Sequence, residues 1–203
     1  MAMISTQQMD QEFHPLSSIG GIQKEEEEKV VDKYKILLMA DEKLLHCVIA
    51  KNIERGLFSV SSIMTRVSDC VVFKSSRHRI IEKGLDAYFE GDYIVAVHLL
   101  IPQIENALRH ISELNGGLVI KDHAYGKQLE TLNNVLKSEQ IRTCFTEEGA
   151  FYLRNLLSDM RGMNLRNNIC HGLIEETEMG WNIADRIFHA LLFVCSLKMK
   201  RCE

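Results

Sequence analysis

Apolar side chains recur every three or four residues from Val30 onward, and this spacing organises the chain far more than any strand-like alternation. Val30, Tyr34, Leu37, Leu38, Leu44, Leu45, Val48, Ile49 and Ile53 predict one long helix, or two stacked ones, ending near Gly56. Phe58, Val60, Ile63, Met64 and Val67 predict another, which Val71-Val72-Phe73 either continues or leaves. Ile80, Ile81, Leu85, Tyr88 and Phe89 predict a helix stopped by Gly91, with Asp92 placed to cap the next. That next helix, from Asp92 to Leu114, presents Ala96, Leu99, Leu100, Ile104, Leu108 and Ile111, and Asn115-Gly116-Gly117 ends it. Pro102 lies inside it. The missing bond to the His98 carbonyl predicts a kink, at a cost of about 3 kcal/mol unless the fold uses the bend.

Further along, Leu129 to Leu136 predict a short helix. Thr146 with Glu147 and Glu148 reads as the cap and first turn of a longer one, running to Met160 and broken by Arg161-Gly162. Asn164 is placed to cap a short helix, and Trp181 to Met199 predict a last amphipathic one through Ile183, Ile187, Phe188, Leu191, Leu192 and Cys195. Only 117–120 and 141–145 carry a strand signal. An all-α helical bundle with additional N-terminal helices follows. Its expected organisation is a flexible polar tail over 1–28, an N-terminal helical segment over 29–75, and the main helical domain over 76–203. The run Glu25 to Glu28 reads as solvated charge at a helix start.

Composition narrows the classes. The 46% hydrophobic and 26% charged content of the 203 residues argues for a folded chain. A net charge of -4 excludes nucleic-acid binding by bulk charge and leaves room only for a local basic patch. The six cysteines are scattered without a C-x-x-C pair, which predicts reduced, mostly buried thiols in a cytoplasmic protein, with neither a metal nor a cofactor. The first residues lack the basic and apolar regions of a secretory signal, and no apolar run approaches the roughly 18 residues of a membrane span.

The chemistry-bearing stretch is Asn-Leu-Arg-Asn-Asn-Ile-Cys-His-Gly, residues 164–172. On a helix, Arg166 and His171 lie about 140° apart, so they do not share a face. Asn167 and His171 do, and Arg166 lines up with Cys170. One copy would present an Asn-His face with an arginine at its edge; two copies across a dimer axis would bring two histidines and two arginines to one phosphate. From 151 to 171 the chain carries Arg154, Arg161 and Arg166 against Asp159 alone, a local positive balance.

Arg166-Asn167-Asn168-Ile169-Cys170-His171 resembles the R-x(4–6)-H motif of the HEPN superfamily (higher eukaryotes and prokaryotes nucleotide-binding domains). The longer block at 159–172, DMRGMNLRNNICHG, together with GLDAYFEGDYIVAVHLLIPQIENALR at 84–109, is similar to a bacterial family of that superfamily. An endoplasmic-reticulum membrane-associated RNA degradation protein shares this domain. The resemblance covers roughly residues 76 to 200. It implies a HEPN-like bundle that forms a homodimer with a composite site and acts as a metal-independent endoribonuclease on single-stranded or loop RNA, leaving 2′,3′-cyclic phosphate ends. By the same analogy it implies a toxin or phage-defence role, under an antitoxin or within a larger protein. Some members carry a modifiable tyrosine two residues after the histidine; Leu173 stands there.

The implied roles suit the residue types. His171 titrates near neutrality and can take or give a proton. Arg166 would stabilise the phosphorane and Asn167 would orient the imidazole or the phosphate. Glu105 and Arg109, four apart, are either a surface ion pair or, as the resemblance implies, residues that hold Arg166 or line the cleft. Arg161 and Asn164 are candidates for RNA contact or support. His98 is a candidate support or a core histidine, and Cys170 reads as a packing residue. Trp181 and Phe188 are either core or base-stacking rings. The alternative to an enzyme is a non-catalytic HEPN-like module that binds RNA or nucleotide, or only dimerises.

Overall fold

The computed structural model describes residues 7–9, 15–18, 22–117, 120–123 and 126–197. Among them the helices are α1 (Ile22–Ala40), α2 (Glu42–Glu54), α3 (Val60–Asp69), α4 (His78–Glu90), α5 (Tyr93–Leu114), α6 (Leu132–Lys137), α7 (Glu139–Leu157), α8 (Leu165–Cys170) and α9 (Trp181–Cys195). Two antiparallel ribbons complete them: β1 (Gln7–Met9) with β2 (Pro15–Ser18), and β3 (Ile120–His123) with β4 (Gly126–Leu129). The protein is an all-α bundle. None of the described helices is long and apolar enough to cross a membrane.

α5 is the axis. It packs on α4, α9, α6, α7 and α8, and its Ala96, Val97, Leu100, Ile104, Leu108 and Ile111 are all buried. The boundary before it forms as its residues dictate: α4 stops at Gly91, and the Asp92 carboxylate accepts from the Val95 N–H at 3.1 Å. α5 continues through Pro102 as one helix. Pro102 and His98 are both exposed, so the His98 carbonyl that Pro102 cannot reach lies on the outer side of the helix and not in the core.

α1 and α2 form one helix with a bend. The Asp41 N–H donates to Leu37 and the Leu45 N–H to Asp41, carrying i,i+4 bonding across the junction. α1 lies on α7 and α2 on α9, and Leu38, Ile49, Ile63 and Val67 join the same core as α5 and α9. The helix begins at Ile22, inside the stretch expected to be a tail. Residues 141–145, read as extended, are helical within α7. The expected cap at Thr146 is present: α7 bends there, and the Thr146 hydroxyl accepts from the Gly149 N–H at 3.4 Å. Thr146 has φ 63, an expensive conformation for a β-branched residue.

Candidate functional site: the Arg166–Glu105 cluster and the His171 cap

The turn into α8 depends on a close approach. A Cβ on Gly162 would stand 2.4 Å from the Asn155 carbonyl oxygen, so only glycine fits. That carbonyl accepts from the Met163 N–H at 2.9 Å and the Asn164 N–H at 3.4 Å. Asn164 occupies the cap position, but in the left-handed region at φ 51, which asparagine tolerates better than most residues. Its side chain does not cap the backbone. Instead its Oδ1 accepts from Asn167 Nδ2 at 2.7 Å and its Nδ2 donates to Asn168 Oδ1 at 3.1 Å. Leu165 and Ile169, four apart and buried, anchor the inner face.

α8 ends at Cys170, before His171. Gly172 adopts φ 67, its N–H reaches Ile169 at 3.1 Å, and the Leu173 N–H reaches Asn168 at 2.7 Å. This Schellman closure leaves His171 as the C-cap residue. Its side chain is exposed and makes no hydrogen bond or ion pair among the described residues. The expected Asn167–His171 contact is therefore not formed.

Asn167 serves the arginine. Arg166 donates Nη1–H to Asn167 Oδ1 at 2.8 Å, Nε–H to Glu105 Oε2 at 2.7 Å and Nη2–H to Glu105 Oε1 at 3.3 Å. Glu105 also accepts from Arg109 Nε and Nη2 at 3.1 and 2.7 Å, and Arg109 Nη1 donates to the Glu130 carbonyl at 2.6 Å. Glu105 thus makes the i,i+4 ion pair with Arg109 and holds Arg166 as well. Burial pushes the Glu105 carboxyl up, but the Arg109 and Arg166 bonds outweigh it and hold the group below the usual range. Two guanidiniums against one carboxylate leave this cluster a charge of +1. A guanidinium has five N–H donors. Arg166 uses three here and retains two, on a side chain 27% exposed beside a Glu105 that is only 15% exposed.

The wider basic patch is not there. Arg161 donates to Asp159 at 3.0 and 2.8 Å and to Glu27 of α1 at 3.0 Å; Arg154 reaches the same Glu27 at 3.2 Å. Glu27 is thus a partner and not merely solvated charge, and Arg161 faces its carboxylates. Asp159 is raised by burial and lowered more by the Arg161 bonds, ending below the usual range. His98 is exposed, not core; it bonds the Ile94 carbonyl at 2.7 Å and touches no other candidate. Among the described cysteines Cys170 and Cys47 are exposed and only Cys70 is buried, so these thiols are less buried than the sequence suggests, and Cys170 is no packing residue. Phe188 is core, stacked on Tyr88 at 4.5 Å, and Trp181 lies against His46 at 4.5 Å.

The sequence reading missed a second polar cluster. Asp185, buried on α9, accepts from the Tyr88 hydroxyl at 2.5 Å and lies 2.8 Å from His46 Nδ1. Its neighbour Arg186, also buried, binds the Leu38 carbonyl and the Asp41 carboxylate. The signal was available: Asp185 and Arg186 interrupt a helix apolar on nearly every face. Among the described residues no group of three or more His, Cys, Asp or Glu is placed to hold a metal ion. Comparison of the chain with protein-family models, with curated proteins and with solved structures finds no match.

Proposed function

We propose that the protein is a HEPN-type endoribonuclease that cleaves single-stranded or loop RNA without a metal, with Arg166 and His171 at the reacting phosphate. The observation that carries this is a fixed guanidinium, with two N–H donors to spare, on the same six-residue helix whose end carries a histidine without a partner among the described residues. The 2′-hydroxyl oxygen attacks the adjacent phosphorus, the bond to the 5′-oxygen breaks, and a cyclic phosphate and a 5′-hydroxyl remain. His171 removes the 2′-proton or delivers one to the leaving oxygen. Arg166, held in place by Glu105 and Asn167, meets the charge on the non-bridging oxygens without reorganising. Arg109 acts only through Glu105.

One histidine fills one proton role at a time, so the reading includes a homodimer in which the second copy brings its own His171 to the phosphate. Leu173, exposed two residues beyond, belongs to that face. Incubating labelled single-stranded RNA with the wild type in excess EDTA tests the proposal: cyclic-phosphate ends support it. If RNA is bound but never cut, across several sequences and with the dimer intact, a non-catalytic RNA-binding module is the correct reading.

A further inference from the structure

The asparagines at 164, 167 and 168 form one directed chain with Arg166. Asn168 Nδ2 donates to the Met163 carbonyl at 3.3 Å, Asn164 Nδ2 to Asn168 Oδ1 at 3.1 Å, and Asn167 Nδ2 to Asn164 Oδ1 at 2.7 Å. Arg166 Nη1–H completes the series on Asn167 Oδ1 at 2.8 Å. Every link runs the same way, because a carboxamide that donates through nitrogen to one neighbour accepts through oxygen from the next. A backbone carbonyl only accepts, so Met163 sets the direction. It orients Asn168, Asn168 orients Asn164, and Asn164 leaves the Asn167 oxygen turned to the guanidinium. Turning over any one of these amides would set nitrogen against nitrogen and oxygen against oxygen.

We infer that Asn164 and Asn168 are positioning residues for Arg166, acting through Asn167; the inference rests on the reading that Arg166 meets the reacting phosphate. Glu105 takes Nε–H and one Nη2–H, and Asn167 takes one Nη1–H. One N–H is left on Nη1 and one on Nη2, a pair that an arginine can offer to two oxygens of one phosphate. The carboxylate fixes one edge of the guanidinium. The asparagine chain fixes a second and ties it to the main chain of the turn. Asn168 also reaches the histidine end of the helix, because its carbonyl accepts the Leu173 N–H at 2.7 Å in the closure that leaves His171 as the cap. The left-handed Asn164 belongs to the same arrangement: glycine would take φ 51 at less cost, but it has no amide to pass the chain on.

The test uses the full chain as Asn164→Gly, which suits the backbone at 164 and removes only the amide, and as Asn168→Ala, which keeps a good helix former inside α8. Single-turnover cleavage of labelled RNA in excess EDTA is read beside thermal unfolding and the rotation of the Arg166 guanidinium, followed by nitrogen-15 NMR of its Nη groups. Both variants melt close to the wild type. Asn164→Gly cuts about tenfold more slowly at an unchanged RNA affinity, and its guanidinium rotates faster. The loss is smaller than for Arg166→Ala because Glu105 keeps its two bonds, and Asn168→Ala moves both readouts the same way. If one variant fails to fold, the other is read alone by the same criteria. A folded variant that keeps the wild-type rate, or that slows without freeing the guanidinium, overturns the inference. Should the wild type cut no RNA, the nuclease reading falls by itself and the rotation decides alone: faster rotation in the variants supports the asparagine chain, and wild-type rotation overturns it.

Discussion

Two carboxylates organise this molecule, Glu105 on α5 and Asp185 on α9, and they do different things. Each gathers a partner from a distant part of the chain: Glu105 holds Arg166 as well as its helical neighbour Arg109, and Asp185 holds Tyr88 and His46. Around Asp185 the partners are a phenol and an imidazole, and the adjacent Arg186 is spent on Leu38 and Asp41, so no positive charge is left over. Burial, then the bond to Asp185, pushes the Tyr88 hydroxyl far above its ordinary range and keeps it a neutral donor. Around Glu105 one positive charge and two N–H donors remain, at a partly exposed edge. The difference teaches that a site is recognised by what its polar groups have left after folding. By residue type alone, the Asp185–His46 pair looks more like catalytic machinery than Arg166 and His171 do.

The largest expected effect that breaks this contrast is at Arg166. Arg166→Ala should lower the RNA cleavage rate about 10²- to 10³-fold, the scale of losing a charge-stabilising donor. Single-turnover rates check it, and a rate within threefold of wild type would remove Arg166 from the chemistry. Glu105→Ala leaves two arginines without their carboxylate and should cost about 2 to 4 kcal/mol of stability as well as activity. A urea midpoint unchanged from wild type would mean that Glu105 does not organise the cluster. Asp185→Ala strands the Tyr88 hydroxyl and should cost about 1 to 3 kcal/mol, read by thermal unfolding, while cleavage per folded molecule stays at the wild-type rate.

The smallest expected effect is in acid. Glu105 and Asp159 both titrate lower in the folded chain than when unfolded. Their contribution is complete above their unfolded values, near pH 4, and is lost as pH falls through the folded ones. Urea midpoints measured from pH 7 down to 3 should fall at the acid end, and Glu105→Gln should flatten part of that fall. Parallel profiles for the variant and the wild type would show that the pairing has no linkage to stability.

Local features were legible in the sequence because local physics fixes them. The stop at Gly91 and cap at Asp92, the Thr146 cap and the helix following Asn164 all depend on a few neighbouring residues. The Glu105–Arg109 pair was visible as a spacing, yet its purpose was not, since Arg166 is 61 residues away and arrives only when α8 packs beside α5. The basic balance of 151–171 misled for the same reason. Counting charges along that stretch leaves out Glu27, which folding brings onto both Arg154 and Arg161. Asn167 was assigned to His171 by helical spacing; the left-handed Asn164 and the early end of α8 give it to Arg166 instead.

The contrast between the two carboxylates is tested most directly by its two histidines. Labelled single-stranded RNA in excess EDTA would be treated with wild type, His171→Ala and His46→Ala, purified side by side and matched for folding. His171→Ala should lose about 10² to 10⁴ in rate with no change in melting temperature, because its side chain bonds nothing among the described residues. His46→Ala should cut at the wild-type rate. Loss of cleavage in His46→Ala with His171→Ala still active would contradict the account and move the chemistry to Asp185.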